Sequence, residues 1–241
     1  MFSCFDKMKN EDTKVSTGSD ILDWLLEGGY ENEVITTIYG PPGSGKSNMC
    51  LLAMVNNYDK KVIYVDTEGS FSISRIKQLA DNYDEILRKV IVLTPTNFSE
   101  QKKVFEKLKN LVTDKIGLII VDSIAMLYRL EIGITKEVFK VNRDLGVQLV
   151  NLIQIARKFK IPVIVTNQVY ADFEDKNKIN MVGGDILRYA SKCLIELQRH
   201  DTEKKAIIRK HRSLPEGKEV SFVIRDTGIH DTDIDTNTSS D

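Results

Sequence analysis

Gly40-Pro41-Pro42-Gly43-Ser44-Gly45-Lys46-Ser47 is a run built to hold a phosphate chain. It fits G-x-x-x-x-G-K-[ST] at every fixed position. The glycines let the backbone curl so that its N–H groups face phosphate oxygens. A helix opening directly behind them adds about half a positive charge at the same point. In this pattern the Lys46 ammonium reaches the outer phosphates and the Ser47 hydroxyl holds Mg²⁺. The predicted ligand is therefore ATP with Mg²⁺. The alternative is a Gly-rich turn with a chance lysine. The context argues against it, since the β-branched run Val34–Tyr39 precedes the loop and Asn48–Asn57 reads as a helix.

Three further residues extend the chemistry. Leu118-Ile119-Ile120-Val121-Asp122 is an apolar strand ending in a carboxylate. Ligands of a parallel sheet collect at the carboxyl ends of its strands, so Asp122 is expected to face the loop and hold Mg²⁺ through water; a strand-end Asp capping a turn is the other reading. Val65-Asp66-Thr67-Glu68-Gly69 ends a second such strand. Hydrolysis needs a base for the attacking water. Glu68 is the candidate, although position alone does not separate it from an exposed loop glutamate. Pro162–Thr166 delivers Asn167-Gln168 to the same edge. There an amide senses a γ-phosphate, or simply belongs to a turn.

The elements that must place these residues are legible in the pattern. β-branched runs at Val34–Tyr39, Lys61–Asp66, Val90–Leu93, Gly117–Asp122 and Pro162–Thr166 alternate with helical stretches. Most are apolar on both faces, as strands covered from both sides must be. Val138, Val141, Leu145, Leu149, Leu152, Ala156 and Phe159 recur at steps of three and four, one stripe of a long helix. The fold class is α/β with a mainly parallel sheet flanked by helices. Cys193–Gln198, Ala206–Lys210 and Val220–Ile224 follow with only turns between and predict an antiparallel C-terminal extension. Trp24 is expected to pack on a short helix capped by Ser16, Thr17 or Ser19.

Composition fits an ordinary globular chain of 241 residues, 41% hydrophobic and 29% charged. A net charge of −1 excludes whole-molecule attraction to polyanions. Cys4, Cys50 and Cys193 form no pair and predict a reduced, cytoplasmic setting. His200, His211 and His230 are too scattered for a zinc site. No apolar run approaches the ~18 residues that span a bilayer, so no membrane is expected. One domain is predicted over residues 14–229, after a flexible lead-in (1–13) and before a disordered acidic tail (230–241).

The order of short motifs resembles the RecA/RadA recombinases. Val15-Ser16-Thr17-Gly18, Asp66-Thr67-Glu68-Gly69 with Phe71 and Arg75, Val121-Asp122-Ser123, Thr166-Asn167-Gln168-Val169, Gly183-Gly184 and Leu214-Pro215-Glu216-Gly217 carry it from about Lys14 to Ile229. The N-terminal helical domain of RadA is lacking, and the chain is most similar to the short archaeal paralogues of RadA. The resemblance implies a RecA-like P-loop ATPase core and a role in DNA repair and homologous recombination. It implies action as an accessory to the RadA recombinase and other repair proteins, with ATP hydrolysed weakly. It also implies that Glu68 activates water, Asp122 serves the metal, Gln168 senses the γ-phosphate and Arg75 stacks on adenine. A helix-surface arginine is the plainer reading of Arg75.

Three departures qualify the resemblance. Where recombinases place an Asp-x-Pro cap over a neighbour's ATP, this chain has Lys210-His211-Arg212. Strand alternation would put Lys210 and Arg212 on one face, as in the lysine-x-arginine finger of KaiC-type ATPases that reaches a neighbouring γ-phosphate; an exposed basic strand end is the equal alternative. After Arg129-Leu130-Glu131, the first DNA loop has Thr135 and Val141 where recombinases carry arginines, with Lys136, Lys140 and Arg143 nearby. The second loop, Tyr170 to Val182, sets Lys176 and Lys178 against Asp172, Glu174 and Asp175, with Tyr170 and Phe173 as candidates to stack on bases. DNA binding, preferentially to single strands, is thus expected to be weak and salt-sensitive. A homo-oligomer is possible. The competing functions are a strand-exchange ATPase in its own right, a KaiC-like signalling ATPase, or a small-molecule kinase, which lacks a lid-like arginine cluster here.

Overall fold

A computed structural model describes residues 14–171, 179–200 and 203–232. The apolar runs form strands β3 (Ile35–Tyr39), β4 (Lys61–Asp66), β5 (Val90–Leu93), β6 (Ile116–Asp122) and β7 (Val163–Asn167). The C-terminal strands are β10 (Cys193–His200), β11 (Glu203–Lys210), β12 (Glu219–Arg225) and β13 (Gly228–Asp231). Together they make one nine-stranded sheet in the order β13-β12-β11-β10-β3-β7-β6-β4-β5. From β10 to β5 neighbours run parallel, and β11 to β13 add on antiparallel. The predicted extension is present, with its first strand parallel to β3. Two short ladders stand apart, β1 (Lys14–Val15) with β2 (Tyr30–Glu31), and β8 (Val169–Ala171) with β9 (Ile179–Met181).

Strand alternation sorts the core into two layers. Val62, Tyr64, Leu118 and Ile120 face helices α1 (Asp20–Leu25), α2 (Lys46–Asn56), α3 (Ile73–Leu79) and α4 (Tyr83–Arg88). Ile63, Val65, Ile119 and Val121 face α5 (Phe98–Leu111), α6 (Met126–Ile134), α7 (Val138–Phe159) and α8 (Gly184–Ala190). The same parity carries Asp66 and Asp122 onto the side of α2, the helix behind the phosphate loop. Register sets the tips level: Asp66 lies opposite Asp122, and Tyr39 opposite Asn167.

Helix α7 buries Val141, Leu145, Leu149, Leu152 and Ala156 as its stripe requires, while Val138 at its start is exposed. It stops at Lys160, whose left-handed backbone precedes Ile161-Pro162. Helix α1 forms, yet Trp24 is 61% exposed and does not pack into the core; Lys218 Nζ lies 4.7 Å above its ring. Ser19 sits at the N-cap position but spends its hydroxyl on the Ile229 carbonyl, 2.8 Å away. Strand β13 takes in His230 and Asp231, assigned above to the tail. The lead-in, residues 233–241 of the tail and residues 172–178, with Asp172, Phe173, Glu174, Asp175, Lys176 and Lys178, lie outside the described residues.

Candidate functional site

Strand β3 is buried along its length, so the loop that leaves it is anchored on one side by the sheet and on the other by α2. Gly43 and Gly45 have φ of +75° and +105°, a region where an L side chain is strained. Glycine at these two positions is therefore required by the curl itself. Lys46 Nζ donates to the carbonyls of Gly40 and Pro41, each at 2.9 Å. Burial pushes the Lys46 ammonium below the ordinary lysine range, a shift opposed by Glu68 and Asp122. Ser44 is fully buried, and its Oγ finds no hydrogen-bond partner among the described residues.

Asp122 is 2% exposed and held by three hydroxyls. Tyr64 Oη and Ser70 Oγ donate to its Oδ2 at 3.0 and 2.6 Å, and Thr166 Oγ1 to its Oδ1 at 2.5 Å. Tyr64, two residues back on β4 with its side chain on the α2 layer, and Thr166, on the neighbouring strand, are placed by alternation and register. Burial, then the nearby Asp122, pushes the Tyr64 phenol well up, so it stays a donor. Asp66 shapes the following turn: its Oδ1 accepts from the amides of Glu68 and Ser70, and its Oδ2 from that of Phe71. That turn presents Glu68. Its Oε1 accepts from Ser123 Oγ at 2.5 Å and from Gln168 Nε2 at 2.9 Å. The strand tips of β4, β6 and β7 are thus tied together across the cleft.

Lys46, Ser47, Asn48, Glu68, Asp122 and Gln168 line a cleft of about 260 Å³ with the loop glycines. A larger hollow of about 370 Å³ lies beside Trp24, Ile229 and His230, where no phosphate-binding feature stands. The cleft fits a nucleoside triphosphate: a glycine cradle, one ammonium and the Ser47 hydroxyl on its wall. Among the described residues no group of three or more His, Cys, Asp or Glu could hold a metal. The donors present, the Ser47 hydroxyl and the Asp122 carboxylate, are those of a Mg²⁺ site completed by phosphates and water.

The remaining candidates are spread more widely. Arg75 reaches back to α2, with Nε donating to Asn48 Oδ1 at 2.8 Å, while Nη1 and Nη2 donate to the carbonyls of Asp226 and Arg225. Its edges are used by protein, one residue away from the cleft lining. Lys210 and Arg212 do not share a face, because β11 ends at Lys210. Lys210 Nζ donates to the carbonyls of Arg188 and Ser191 at the end of α8. Arg212 Nε stands 3.0 Å from Glu31 Oε2, in an ion pair without hydrogen-bond alignment. His211 turns to the same glutamate, Nε2 lying 3.8 Å from Oε2.

Between α6 and α7 stand only residues 135–137, and Val141 is buried in the core, out of reach of any ligand. Lys140 pairs with Glu137 at 2.8 Å. Leu130, Ile134 and Phe139 are exposed around that corner. In the second loop Tyr170 is 46% exposed, and Val182 N donates to the Gln168 carbonyl, closing the base of the β8–β9 ladder. Sequence reasoning missed Tyr64 and Ser70 and gave Ser123 and Thr166, though both stand in the motifs quoted above, no role; the parity shared by Tyr64 and Asp122 was the signal that would have found the first.

Residues 8–232 match the Rad51 family model. The chain is 42% identical over 226 residues to the DNA repair and recombination protein RadB of Methanobrevibacter smithii, covering 90% of this chain and 95% of that one. It is 41% identical over 213 residues to the protein of the same name from Methanocaldococcus jannaschii, covering 87% and 98%. A crystal structure of the RadB recombinase superposes with a TM-score of 0.79 at 38% identity, covering 90% of this chain and 99% of that one. The RecA-like core expected from the motifs is the fold found.

Proposed function

The chain belongs to the Rad51 family, and on that premise we propose that it is a DNA repair and recombination protein of the RadB type that binds Mg²⁺-ATP. The observation that carries this reading is the tie across the cleft, in which Glu68 on β4's tip accepts from Ser123 and Gln168. Lys46 and the loop amides take the phosphates. Ser47 and Asp122 would hold Mg²⁺, which would neutralise phosphate charge and polarise the transferred group. Glu68, oriented through Oε1, keeps Oε2 for the attacking water and accepts its proton. Gln168 stands between that carboxylate and the β8–β9 ladder and so reports the state of the site to it. Arg75 contributes the face of its guanidinium to adenine, its edges being occupied.

The protein acts in the cytoplasm as an accessory to the RadA recombinase and other repair proteins, with slow turnover and weak binding of single-stranded DNA. The buried Val141 and the Lys140–Glu137 pair favour weak DNA binding, because they remove reach and charge from the first loop. Described residues include no helix long and apolar enough to cross a membrane. ATP turnover is to be measured alone, with single-stranded DNA, and with purified RadA. DNA stimulation below about tenfold, which is ~1.4 kcal/mol of barrier, is expected; a larger effect would make the protein a DNA-dependent strand-exchange ATPase instead.

A further inference from the structure

Strand β10 runs parallel to β3 and continues past the phosphate loop. It packs so closely that a methyl group on Gly40 would collide with the Leu197 carbonyl. Leu197 itself is fully buried. Residues two apart on a strand share a face, so Arg199 is aimed at the loop by the same packing that buries Leu197. Its guanidinium arrives over Gly43: a methyl group there would stand 3.2 Å from Nη1 and 3.9 Å from Cζ. Arg199 is exposed, and its guanidinium makes no hydrogen bond or ion pair with any described residue. It is a cation at the outer rim of the loop with its donors unspent.

Charge gives that cation a purpose. The cleft is lined by one ammonium, Lys46, against two carboxylates, Glu68 and Asp122. A nucleoside triphosphate adds several negative charges, which Mg²⁺ offsets only in part. We propose that Arg199 is a phosphate-binding residue of the nucleotide site, gripping the phosphate chain from outside the loop while Lys46 grips it from within. A guanidinium presents paired donors that match phosphate oxygens. The left-handed glycine beneath it lets it approach where any side chain would intrude. Arg199 is supplied in cis by β10, so it needs no neighbouring subunit. This assignment rests on the phosphate loop being the ATP site.

Binding of Mg²⁺-ATP and Mg²⁺-ADP is to be measured by calorimetry on the full chain and on the variants Arg199→Gln, Arg199→Lys and Lys46→Ala. Arg199→Gln is expected to weaken both nucleotides about tenfold or more, as the loss of a charge-assisted contact does. Arg199→Lys should recover part of the loss. The melting temperature without nucleotide should stay unchanged, which a merely structural arginine would move. Unaltered nucleotide affinity in Arg199→Gln, with binding lost in Lys46→Ala, would overturn the role of Arg199 and leave the loop assignment standing. Wild-type affinity in Lys46→Ala would overturn both. Weakened single-stranded DNA binding with nucleotide affinity intact would assign the arginine to nucleic acid and also overturn it.

Discussion

Lys46 carries its charge where burial works against it, and a triphosphate reverses the balance. In the free protein the ammonium is depressed below the ordinary lysine range. An anion in the cleft favours the charged form, so ATP binding should draw in a proton at alkaline pH. Affinity should therefore fall as pH rises through the depressed value, and calorimetry in buffers of differing ionisation enthalpy should show proton uptake. Glu68 tests the other half of the site. Glu68→Gln removes the proton acceptor while keeping a group of the same size, so nucleotide affinity should persist and turnover drop by about 10²–10⁴-fold. Unchanged turnover would make Glu68 a structural link between Ser123 and Gln168. Asp122 has its own support in three hydroxyls. Thr166→Val, which keeps the shape and removes one donor, should raise the Mg²⁺ concentration needed for nucleotide binding, read by titration with a fluorescent nucleotide.

At the scale of elements, the segment from β11 into the Leu214-Pro215-Glu216-Gly217 turn depends on a neutral imidazole. His211 Nδ1 accepts from the amides of Ser213 and Leu214, at 3.2 and 3.1 Å, which requires that nitrogen to be unprotonated. The side chain is 1% exposed, and burial pushes its pKa down from 6.5, opposed by Glu31. A folded-state value below the unfolded one means stability that is present above 6.5 and lost as pH falls below it towards the folded value. Chemical denaturation should show that decline, and His211→Gln should flatten it. The strands were legible because apolar runs on both faces leave few alternatives: β4 and β5 have the bounds expected from sequence, and α7 follows its stripe. Strand β13 was not legible, since Gly228-Ile229-His230-Asp231 is polar and acquires its place only by pairing with β12. The hydroxyls around Asp122 were hidden for a similar reason, being set by register between strands. The finger reading of Lys210 and Arg212 assumed that β11 continued; the chain leaves the sheet at Lys210, and alternation ends with it.

For the whole molecule, a net charge of −1 and the sparse lysines of the described first loop predict few phosphate contacts on DNA. The log–log salt dependence for single strands should be shallow, about −0.7 per contact. Fluorescence anisotropy across a salt series checks this, and a steep slope would mean that the loops are more basic in action than in sequence. Lys210 and Arg212 offer a second test at this scale. If they reach a neighbour's ATP, turnover per subunit must rise with protein concentration, and the double alanine variant must bind ATP yet hydrolyse slowly. Their contacts within the chain predict a stability effect instead. Removing Arg212 takes the nearest cation from Glu31, which is 3% exposed, and should lower stability measurably in chemical denaturation.

The bond from Gln168 to Glu68 has a consequence for measurement. The residue that touches the Glu68 carboxylate through its side chain also accepts from Val182 N through its carbonyl, and so belongs to both the cleft and the base of the β8–β9 ladder. Two sites that share a residue are thermodynamically linked. Whatever factor ATP applies to the affinity for a single strand, the strand must apply to the affinity for ATP. Gln168→Ala, by cutting the shared member, should bring both ratios towards unity together. A closed binding cycle therefore reads the coupling twice from independent titrations, without any need to observe hydrolysis.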